Sequence, residues 1–292
     1  MSPTSEYAHP EVLVSTEWVA QHGKDPNVRL VEVDVDTTSY EKGHIEGAAG
    51  VSWDSQLTDQ VRRDLLSTQG WEQLLSGLGI SNATTIVAYG DNNNWFAAWF
   101  VWQLKYYGHA DARLMDGGRV KWLKENRPLT TALPSHPAGS YKVDPAKMNK
   151  ALRAYRRDVE DLISSGKAFA LVDVRSPDEY TGKVLAPAGL NETCQRGGHI
   201  PGAASIPWGQ AVREDGSFKP RAELEALYQG KGVTPEKPVI AYCRIGERSS
   251  HSWFVLKYLL GYGNVRNYDG SWTEWGNLVG APIAKGPEPG KL

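Results

Sequence analysis

The chain has 292 residues, of which 40% are hydrophobic and 23% charged, and its formal net charge is −2 at pH 7. This composition is typical of a soluble globular protein with room for two domains of ordinary size. A nearly neutral chain without a basic run offers no general surface for nucleic acid. No stretch approaches the roughly 18 consecutive apolar residues of a membrane span. We therefore expect no nucleic-acid partner and no membrane association.

The first seven residues lack the charged-then-apolar pattern of a secretory signal, so we expect a cytoplasmic protein. The two cysteines, Cys194 and Cys243, are too few for a disulfide framework or a structural zinc site. The seven histidines are scattered without metal-ligand spacing. A reducing compartment, no metal and no cofactor are the expectations that follow.

Short apolar strands alternate with amphipathic helical stretches along the chain, which predicts an α/β fold in which parallel sheets are covered by helices on both faces. Ser15 is a capping residue placed to begin the first helix. The predicted helices span 16–22, 69–78, 97–107, 151–165 and 222–229.

The two halves of the chain repeat each other. Buried strands end at Asp34 and Asp173, and a Gly-His-Ile element surrounds His44 and His199. Later elements keep a constant offset, since 242 − 89, 269 − 116 and 275 − 122 all equal 153. Between the aspartate and the histidine the offset grows from 139 to 155, so the second half carries 16 extra residues within 182–197. Repeats of this length indicate duplicated domains rather than solenoid units.

We predict a first domain over 12–130, a linker over 131–147 and a second domain over 148–285. The stretch 131–145 holds three prolines and shows no periodicity, as a linker does. The final residues, 282–292, are rich in Pro, Gly and Lys and are predicted to form a loose tail.

Cys243 lies between a short apolar strand, 238–242, and a helical stretch that follows Arg248. In such an elbow the backbone N–H groups and the positive end of the helix dipole favour an anion. Arg244 and Arg248 add positive charge. We therefore expect the thiol pKa to fall from about 8.5 towards or below neutrality, which would make the sulfur a nucleophile.

The repeat provides a control for this interpretation. At an offset of 153, Cys243 corresponds to Gly90, and Arg248 corresponds to Trp95. The first half thus makes the same turn without the nucleophile or its charge. The chemistry is therefore expected in the second half alone, with Cys243 opening at the carboxyl ends of the strands.

Over nearly its whole length the chain resembles the two-domain rhodaneses, the thiosulfate sulfurtransferases. The resemblance depends on the Gly-His-Ile elements, on the stretch 265–275 and on the loop Cys-Arg-Ile-Gly-Glu-Arg at 243–248. It implies two tandem rhodanese-like domains, an inactive one followed by a catalytic one. The chain departs from the family pattern where Glu46 replaces a proline, where Ile245 replaces a basic residue, and where Glu179 aligns with an anion-contacting arginine. Arg248 is expected to compensate for the last two.

The resemblance and the charges together predict the reaction. Cys243 attacks the outer sulfur of thiosulfate, sulfite leaves, and a thiophilic acceptor such as cyanide or a thiol removes the persulfide sulfur. No general base is needed if the thiolate is already formed. One chain suffices, so a monomer is expected. The loop residues predicted to bind substrate are Arg244, Ile245, Gly246, Glu247 and Arg248, and those predicted to support the loop are Asp173, Arg175 and Ser249.

Three other functions remain open. A 3-mercaptopyruvate sulfurtransferase has the same fold, but that relative usually has Gly and Ser or Thr after the cysteine, where this chain has Arg244. A cysteine phosphatase or arsenate reductase needs Cys-x5-Arg, whereas Ser249 occupies that position here. A persulfide-relay module would accept sulfur from a protein donor instead.

Other polar residues have simpler interpretations. Asp173 and Arg175 are expected to form a structural ion pair, and His44 and His199 to share a structural hydrogen-bonding role because both halves contain them. Cys194 is expected in an exposed loop. Three aromatic residues at helical spacing are expected in a core or interface: Trp95, Trp99 and Trp102. Two more, Trp272 and Trp275, are expected beneath the active loop.

Overall fold

The computed structural model describes residues 6–189 and 194–291. In the first half the elements are β1 Leu13–Val14, α1 Thr16–His22, β2 Val28–Glu32, α2 Ser39–Lys42, β3 Ala49–Gly50, α3 Trp53–Gln56, α4 Thr68–Gly77, β4 Thr85–Tyr89, α5 Asp91–Tyr106, β5 Ala112–Met115 and α6 Gly118–Lys124. In the second half they are β6 Arg153–Ala154, α7 Arg156–Ser164, β7 Ala170–Asp173, α8 Pro177–Thr181, β8 Ala204–Ser205, α9 Arg221–Gln229, β9 Val239–Tyr242, α10 Glu247–Phe254, β10 Val265–Tyr268 and α11 Ser271–Trp275. Short 3₁₀ turns lie at Pro10–Val12, Lys150–Leu152 and Trp208–Ala211, and a π-helical turn, Val255–Leu259, continues α10.

The two halves have the same sheet topology. The strand order is β1-β5-β4-β2-β3 in the first half and β6-β10-β9-β7-β8 in the second, and every pairing is parallel. Helices flank both sheets. The strands at the centre are buried on both faces, as parallel strands generally are, and read as continuous apolar runs. The predicted α/β fold with two tandem domains is confirmed.

The duplication extends to individual hydrogen bonds. The Tyr89 hydroxyl accepts the N–H of Ile45 at 3.0 Å, and the Tyr242 hydroxyl accepts the N–H of Ile200 at 3.1 Å. In each half, therefore, a strand-end tyrosine holds the start of the turn that follows the histidine.

The two histidines have the shared structural role that the repeat predicts. His44 stacks on Tyr40 with ring centroids 3.9 Å apart, and its Nδ1 hydrogen-bonds the Tyr40 carbonyl at 2.9 Å. His199 stacks on Tyr180 at 3.6 Å and bonds its carbonyl at 2.8 Å. Both rings are fully buried.

The helix predictions differ in accuracy for local reasons. Ser15 accepts the Trp18 N–H and begins α1 as predicted. The helix predicted at 97–107 lies within α5, Asp91–Tyr106, but Asn92, Asn93 and Asn94 take left-handed backbone conformations, so regular α-helix begins only after Asn94, close to the predicted start. The helix predicted at 151–165 begins only at Arg156, since the preceding residues form β6, which pairs with the distant β10.

The C-terminal residues are not a loose tail, so that prediction is wrong. Ala284 exchanges two backbone hydrogen bonds with His199, at 2.9 and 3.0 Å, and the Pro289 carbonyl accepts the Gly202 N–H at 2.7 Å. The Trp275 indole N–H also bonds the Pro282 carbonyl at 2.9 Å. Composition indicated flexibility, but backbone pairing with the Gly-His-Ile element orders this segment.

By internal contacts the chain divides into two compact units. One contains residues 11–150 and 212–218, and the other contains the remaining described residues. Residues 212–218 join the first unit through Asp215, which pairs with Lys121 at 2.6 Å, and through Phe218, whose N–H bonds Asp116 at 2.9 Å. Most of the predicted linker also lies on the first unit, where Gly139 bonds the Ser76 carbonyl. The domain boundaries given above stay predictions.

Candidate active site

The elbow at Cys243 connects β9 to α10. Gly246 caps the helix with φ +97°, a left-handed conformation that favours glycine. A Cβ at this position would lie 2.6 Å from the Cα of Asp269. Both the conformation and the close approach therefore require glycine here, which explains its place in the motif.

The start of α11 holds the elbow in place through hydrogen bonds to its backbone. The Cys243 N–H donates to the Ser271 hydroxyl at 3.0 Å, and the Cys243 carbonyl accepts the Trp272 N–H at 3.1 Å. The Arg244 carbonyl accepts both the N–H and the hydroxyl of Thr273 at 3.0 Å. Trp272 therefore lies where the sequence predicted, at the start of the helix that supports the loop.

The Cys243 sulfur lies in a partial cradle of N–H groups. The Gly246 N–H points at Sγ from 3.2 Å, and the backbone N–H of Ser249 also hydrogen-bonds the sulfur. The side chain of Cys243 is fully buried. The cradle agrees with the expectation for a strand-to-helix elbow, but the expected opening at the sheet edge is absent around this sulfur.

Glu247 places a carboxylate in contact with the sulfur. The Cys243 thiol donates to Oε2 of Glu247 at 3.1 Å, and the Ile245 N–H donates to the same oxygen at 3.1 Å. Glu247 is itself fully buried. The loop thus encloses its own carboxylate as well as its thiol.

The thiol pKa is raised, so the prediction that it falls towards neutrality is wrong. Burial is the largest cause, and the negative charge of Glu247 adds to it. The Arg248 charge and the Ser249 N–H oppose these effects without reversing them. The sequence prediction counted the arginines and the helix dipole but neglected desolvation and the carboxylate four residues after the cysteine.

Arg248 is paired with a carboxylate from another element. Its guanidinium donates to both oxygens of Glu179, at 2.8 and 2.9 Å, and both side chains are buried. Burial is the largest single effect on the pKa of Glu179 and raises it, but the hydrogen bonds and charge of Arg248, the Ser176 N–H and the charge of Arg175 together outweigh burial and hold the pKa below the usual range. Ser176 and Glu179 form a capping box that fixes the carboxylate at the start of α8. The charge of Arg248 is therefore neutralised by Glu179. The expectation that Arg248 compensates for the basic residues missing at positions 245 and 179 is wrong, because its guanidinium is already paired.

Arg244 is buried beside the same carboxylate. Its Nη2 lies 3.8 Å from Oε1 of Glu247, and Nε of Arg248 lies at the same distance from that oxygen. The two arginines of the loop are therefore matched by two buried glutamates, Glu179 and Glu247, and the formal charges of the four side chains sum to zero. Any anion that binds these guanidinium groups has to compete with the two carboxylates.

The supporting residues brace the loop from outside. Arg175 donates to Asp173 at 2.6 Å and to the Gly198 carbonyl at 2.7 Å, and it lies over the Trp272 ring at 4.4 Å. Both members of this pair are fully buried, which agrees with the predicted structural ion pair. The Ser249 hydroxyl donates to Asn267 at 2.6 Å.

Cys194 is not in an exposed loop, so that expectation is wrong. Its side chain is 4% exposed and belongs to the apolar core that includes Trp272 and Trp275. Its thiol donates to the Arg196 carbonyl at 3.1 Å, and burial raises its pKa. Residues 190–193 of the insertion lie outside the described residues. The neighbouring Arg196 explains the packing, because its guanidinium bonds carbonyls after α11 and draws the insertion onto the core.

The comparisons with known proteins agree with this fold and this loop. The family model for the rhodanese-like domain matches residues 15–125 and again 156–278. The chain therefore belongs to the rhodanese family, whose proteins transfer sulfur. No helix in the described part of the chain has both the length and the apolar character needed to cross a membrane.

Curated relatives match along almost the full chain. "Sulfur carrier protein TtuD" of Thermus thermophilus is 57% identical over 97% of this chain and 99% of its own length. "Putative thiosulfate sulfurtransferase" of Haloferax volcanii is 54% identical with the same coverage. Among solved structures, an anaerobic ergothioneine biosynthesis enzyme from Chlorobium limicola has a TM-score of 0.80 at 24% identity, covering 95% of this chain and 71% of its own. That structure supports the fold.

Proposed function

We propose that this protein is a thiosulfate sulfurtransferase that works through a persulfide on Cys243. The observation that carries the proposal is the elbow itself, in which Gly246 and Ser249 direct backbone N–H groups at the sulfur. The first half has glycine at the corresponding position. Relatives that carry the name "Putative thiosulfate sulfurtransferase" at 50–54% identity favour this donor.

In the first half-reaction the Cys243 sulfur attacks the outer sulfur of thiosulfate and sulfite departs. The N–H groups that now contact Sγ would then stabilise the anionic persulfide. Thiosulfate is a dianion, so Arg244 and Arg248 have to bind it in place of their present carboxylate partners. Cyanide or a thiol acceptor completes the cycle by removing the outer sulfur.

A second candidate is a persulfide relay between proteins. It is favoured by the relative named as a sulfur carrier, which is 57% identical to this chain.

A 3-mercaptopyruvate sulfurtransferase is the other alternative, and Arg244 beside the nucleophile argues against it. All three functions require a persulfide on Cys243. A reducing, cytoplasmic location and a monomeric state belong to the proposal, because neither cysteine forms a disulfide and one chain contains every group named here.

Steady-state turnover with cyanide and either thiosulfate or mercaptopyruvate distinguishes these functions. We expect turnover with thiosulfate and a mass increase of one sulfur atom on Cys243 after donor is added without acceptor. Cys243→Ser should show neither. If neither small donor gives turnover but a protein persulfide donor loads Cys243, the relay function is correct instead.

A further inference from the structure

We propose that Glu247 accepts the Cys243 proton as the sulfur attacks and passes it to the departing sulfite. This inference rests on the proposed function, because it concerns the loading of sulfur from thiosulfate. It assigns a catalytic role to a carboxylate that the sequence marked only as part of a substrate-binding loop.

The geometry places the thiol proton between the sulfur of Cys243 and a carboxylate oxygen of Glu247. Sγ and Oε2 of Glu247 are 3.1 Å apart, and the Ile245 N–H holds the same oxygen in position from 3.1 Å. Both side chains are fully buried. The proton can therefore move directly from sulfur to oxygen, over a distance suitable for general-base catalysis.

The electrostatics of the loop favour such an acceptor. Burial and the charge of Glu247 raise the thiol pKa, so the resting protein holds a thiol rather than a thiolate. A thiol is a weak nucleophile unless an adjacent base removes its proton. The Gly246 and Ser249 N–H groups remain to stabilise the negative sulfur once the proton has moved.

The two buried glutamates near the loop are not equivalent. Glu179 has both oxygens bonded to Arg248, and these bonds keep it ionised. In Glu247, Oε1 has no hydrogen-bond partner among the described residues, and its nearest guanidinium nitrogens are 3.8 Å away. Glu247 is therefore the carboxylate that faces the thiol without a guanidinium hydrogen bond, which places it to accept the thiol proton.

The remaining charged groups around the loop leave this assignment unchanged. Asp269, which lies against Gly246, is ion-paired with Arg153 at 2.9 Å. Asp173 is ion-paired with Arg175 at 2.6 Å. His251, one turn further along α10, is buried and its pKa is lowered to about 3, so it is neutral.

The step balances in atoms and charge. The thiol proton passes to Glu247, the new S–S bond forms between Cys243 and the outer sulfur of thiosulfate, and the S–S bond of thiosulfate breaks with its electron pair going to sulfite. Glu247 then gives its proton to sulfite. The products are the Cys243 persulfide anion and hydrogen sulfite, and Glu247 is again ionised for the next cycle.

Glu247→Gln tests the proposal with two readouts. Loading of Cys243 by thiosulfate, followed in a single turnover by sulfite release and protein mass, should slow by about 100-fold or more at neutral pH. As the pH is raised, the loading rate of this variant should increase about tenfold per pH unit until the pH reaches the pKa of the thiol. Titration of the thiolate by its ultraviolet absorbance, against Cys243→Ser as blank, should show a lower thiol pKa in the variant, since a negative charge has been removed.

That combination separates a proton acceptor from a purely structural residue. If Glu247 only held the loop, a lower thiol pKa would make loading faster or leave it unchanged. Glu247→Asp should recover part of the rate with the wild-type pH profile. The matched control is Glu179→Gln, which removes the other buried carboxylate and should load with a changed KM but without the alkaline shift.

The outcomes distinguish this inference from the proposed function. Loading of Glu247→Gln at the wild-type rate, with an unshifted pH profile, would overturn the role of Glu247 while leaving thiosulfate as donor. Failure of the unmodified protein to load from thiosulfate would overturn the donor. In that case the same pH comparison with mercaptopyruvate or a protein persulfide still tests Glu247, because every donor requires the Cys243 proton to leave.

Discussion

Arg248 and Glu179 form a buried ion pair in which the guanidinium donates to both carboxylate oxygens, at 2.8 and 2.9 Å. The two residues are 69 positions apart, so the pair ties α10 to α8 across the unit that contains Cys243. An anion that binds Arg248 has to compete with Glu179 for the guanidinium. We therefore expect the stability of the loop and its affinity for anions to be coupled.

The first prediction concerns the energy of this pair. Glu179→Gln and Arg248→Met should each lower the free energy of unfolding by about 3–5 kcal/mol, because each leaves one charge buried without its partner. The double variant should lose much less than the sum. Urea unfolding of all four proteins measures this coupling, and additive losses would contradict it.

The same variants should have opposite effects on substrate binding. Glu179→Gln frees Arg248 and should lower the KM for thiosulfate, whereas Arg248→Met removes a cation and should raise it. Steady-state kinetics at two ionic strengths measures both. An unchanged KM in Arg248→Met would mean that this arginine does not contact the donor.

The second prediction concerns the shape of the elbow. Gly246→Ala should lower stability by about 1–3 kcal/mol, because alanine is strained at positive φ, and it should slow sulfur loading as the N–H that faces Sγ moves. The control is Gly209→Ala, where an added Cβ meets nothing within 4 Å. Thermal melting and single-turnover loading should change in the first variant and stay close to the unmodified protein in the second.

The third prediction separates the two cysteines. Cys243→Ser should abolish sulfur loading and turnover. Cys194→Ser should retain both, because the thiol lies in the core and a hydroxyl can keep its bond to the Arg196 carbonyl. We expect a loss of stability of about 1 kcal/mol from the polar substitution. A loss of turnover in Cys194→Ser without unfolding would instead give this cysteine a part in the reaction.

The fourth prediction concerns pH and lies in the first unit. Burial and, after it, the nearby charges of Glu32 and Asp91 together raise the pKa of Asp34 to about 9. The folded protein thus keeps a proton that the unfolded chain loses near pH 4. The contribution of Asp34 is complete below that pH and is lost as pH rises towards 9.

Asp34→Asn should therefore raise the free energy of unfolding at neutral pH by at least about 1.4 kcal/mol, the equivalent of one unit of pKa difference. The amide oxygen can still accept the Asp91 N–H, which now bonds Asp34 at 2.7 Å. Asp36→Asn is the control, because the pKa of Asp36 is shifted in the opposite direction. Hydrogen bonds from Thr38 lower the pKa of Asp36, so its stabilisation is present above the unfolded pKa and is lost on acidification. Melting temperatures across pH should move in opposite directions for the two variants.

Several features follow from the sequence because they depend on short stretches of chain. Ser15 begins a helix through a contact three residues away, and the constant offset of 153 predicts two sheets of the same topology. The position of Cys243 between a strand and a helix is also local. Periodicity, capping and repetition are encoded within a few turns, so they can be recognised without the fold.

The protonation state of the site depends on the tertiary structure. Complete burial and the charge of Glu247 raise the thiol pKa. The charge of Arg248 is neutralised by Glu179, which lies on another helix. Burial likewise places Cys194 in the core, and backbone pairing with His199 orders the C-terminal segment. Desolvation and charge pairing act through space between distant residues. The sequence by itself therefore predicts which sulfur reacts, and only the tertiary structure decides that this sulfur is a buried thiol with a carboxylate beside it.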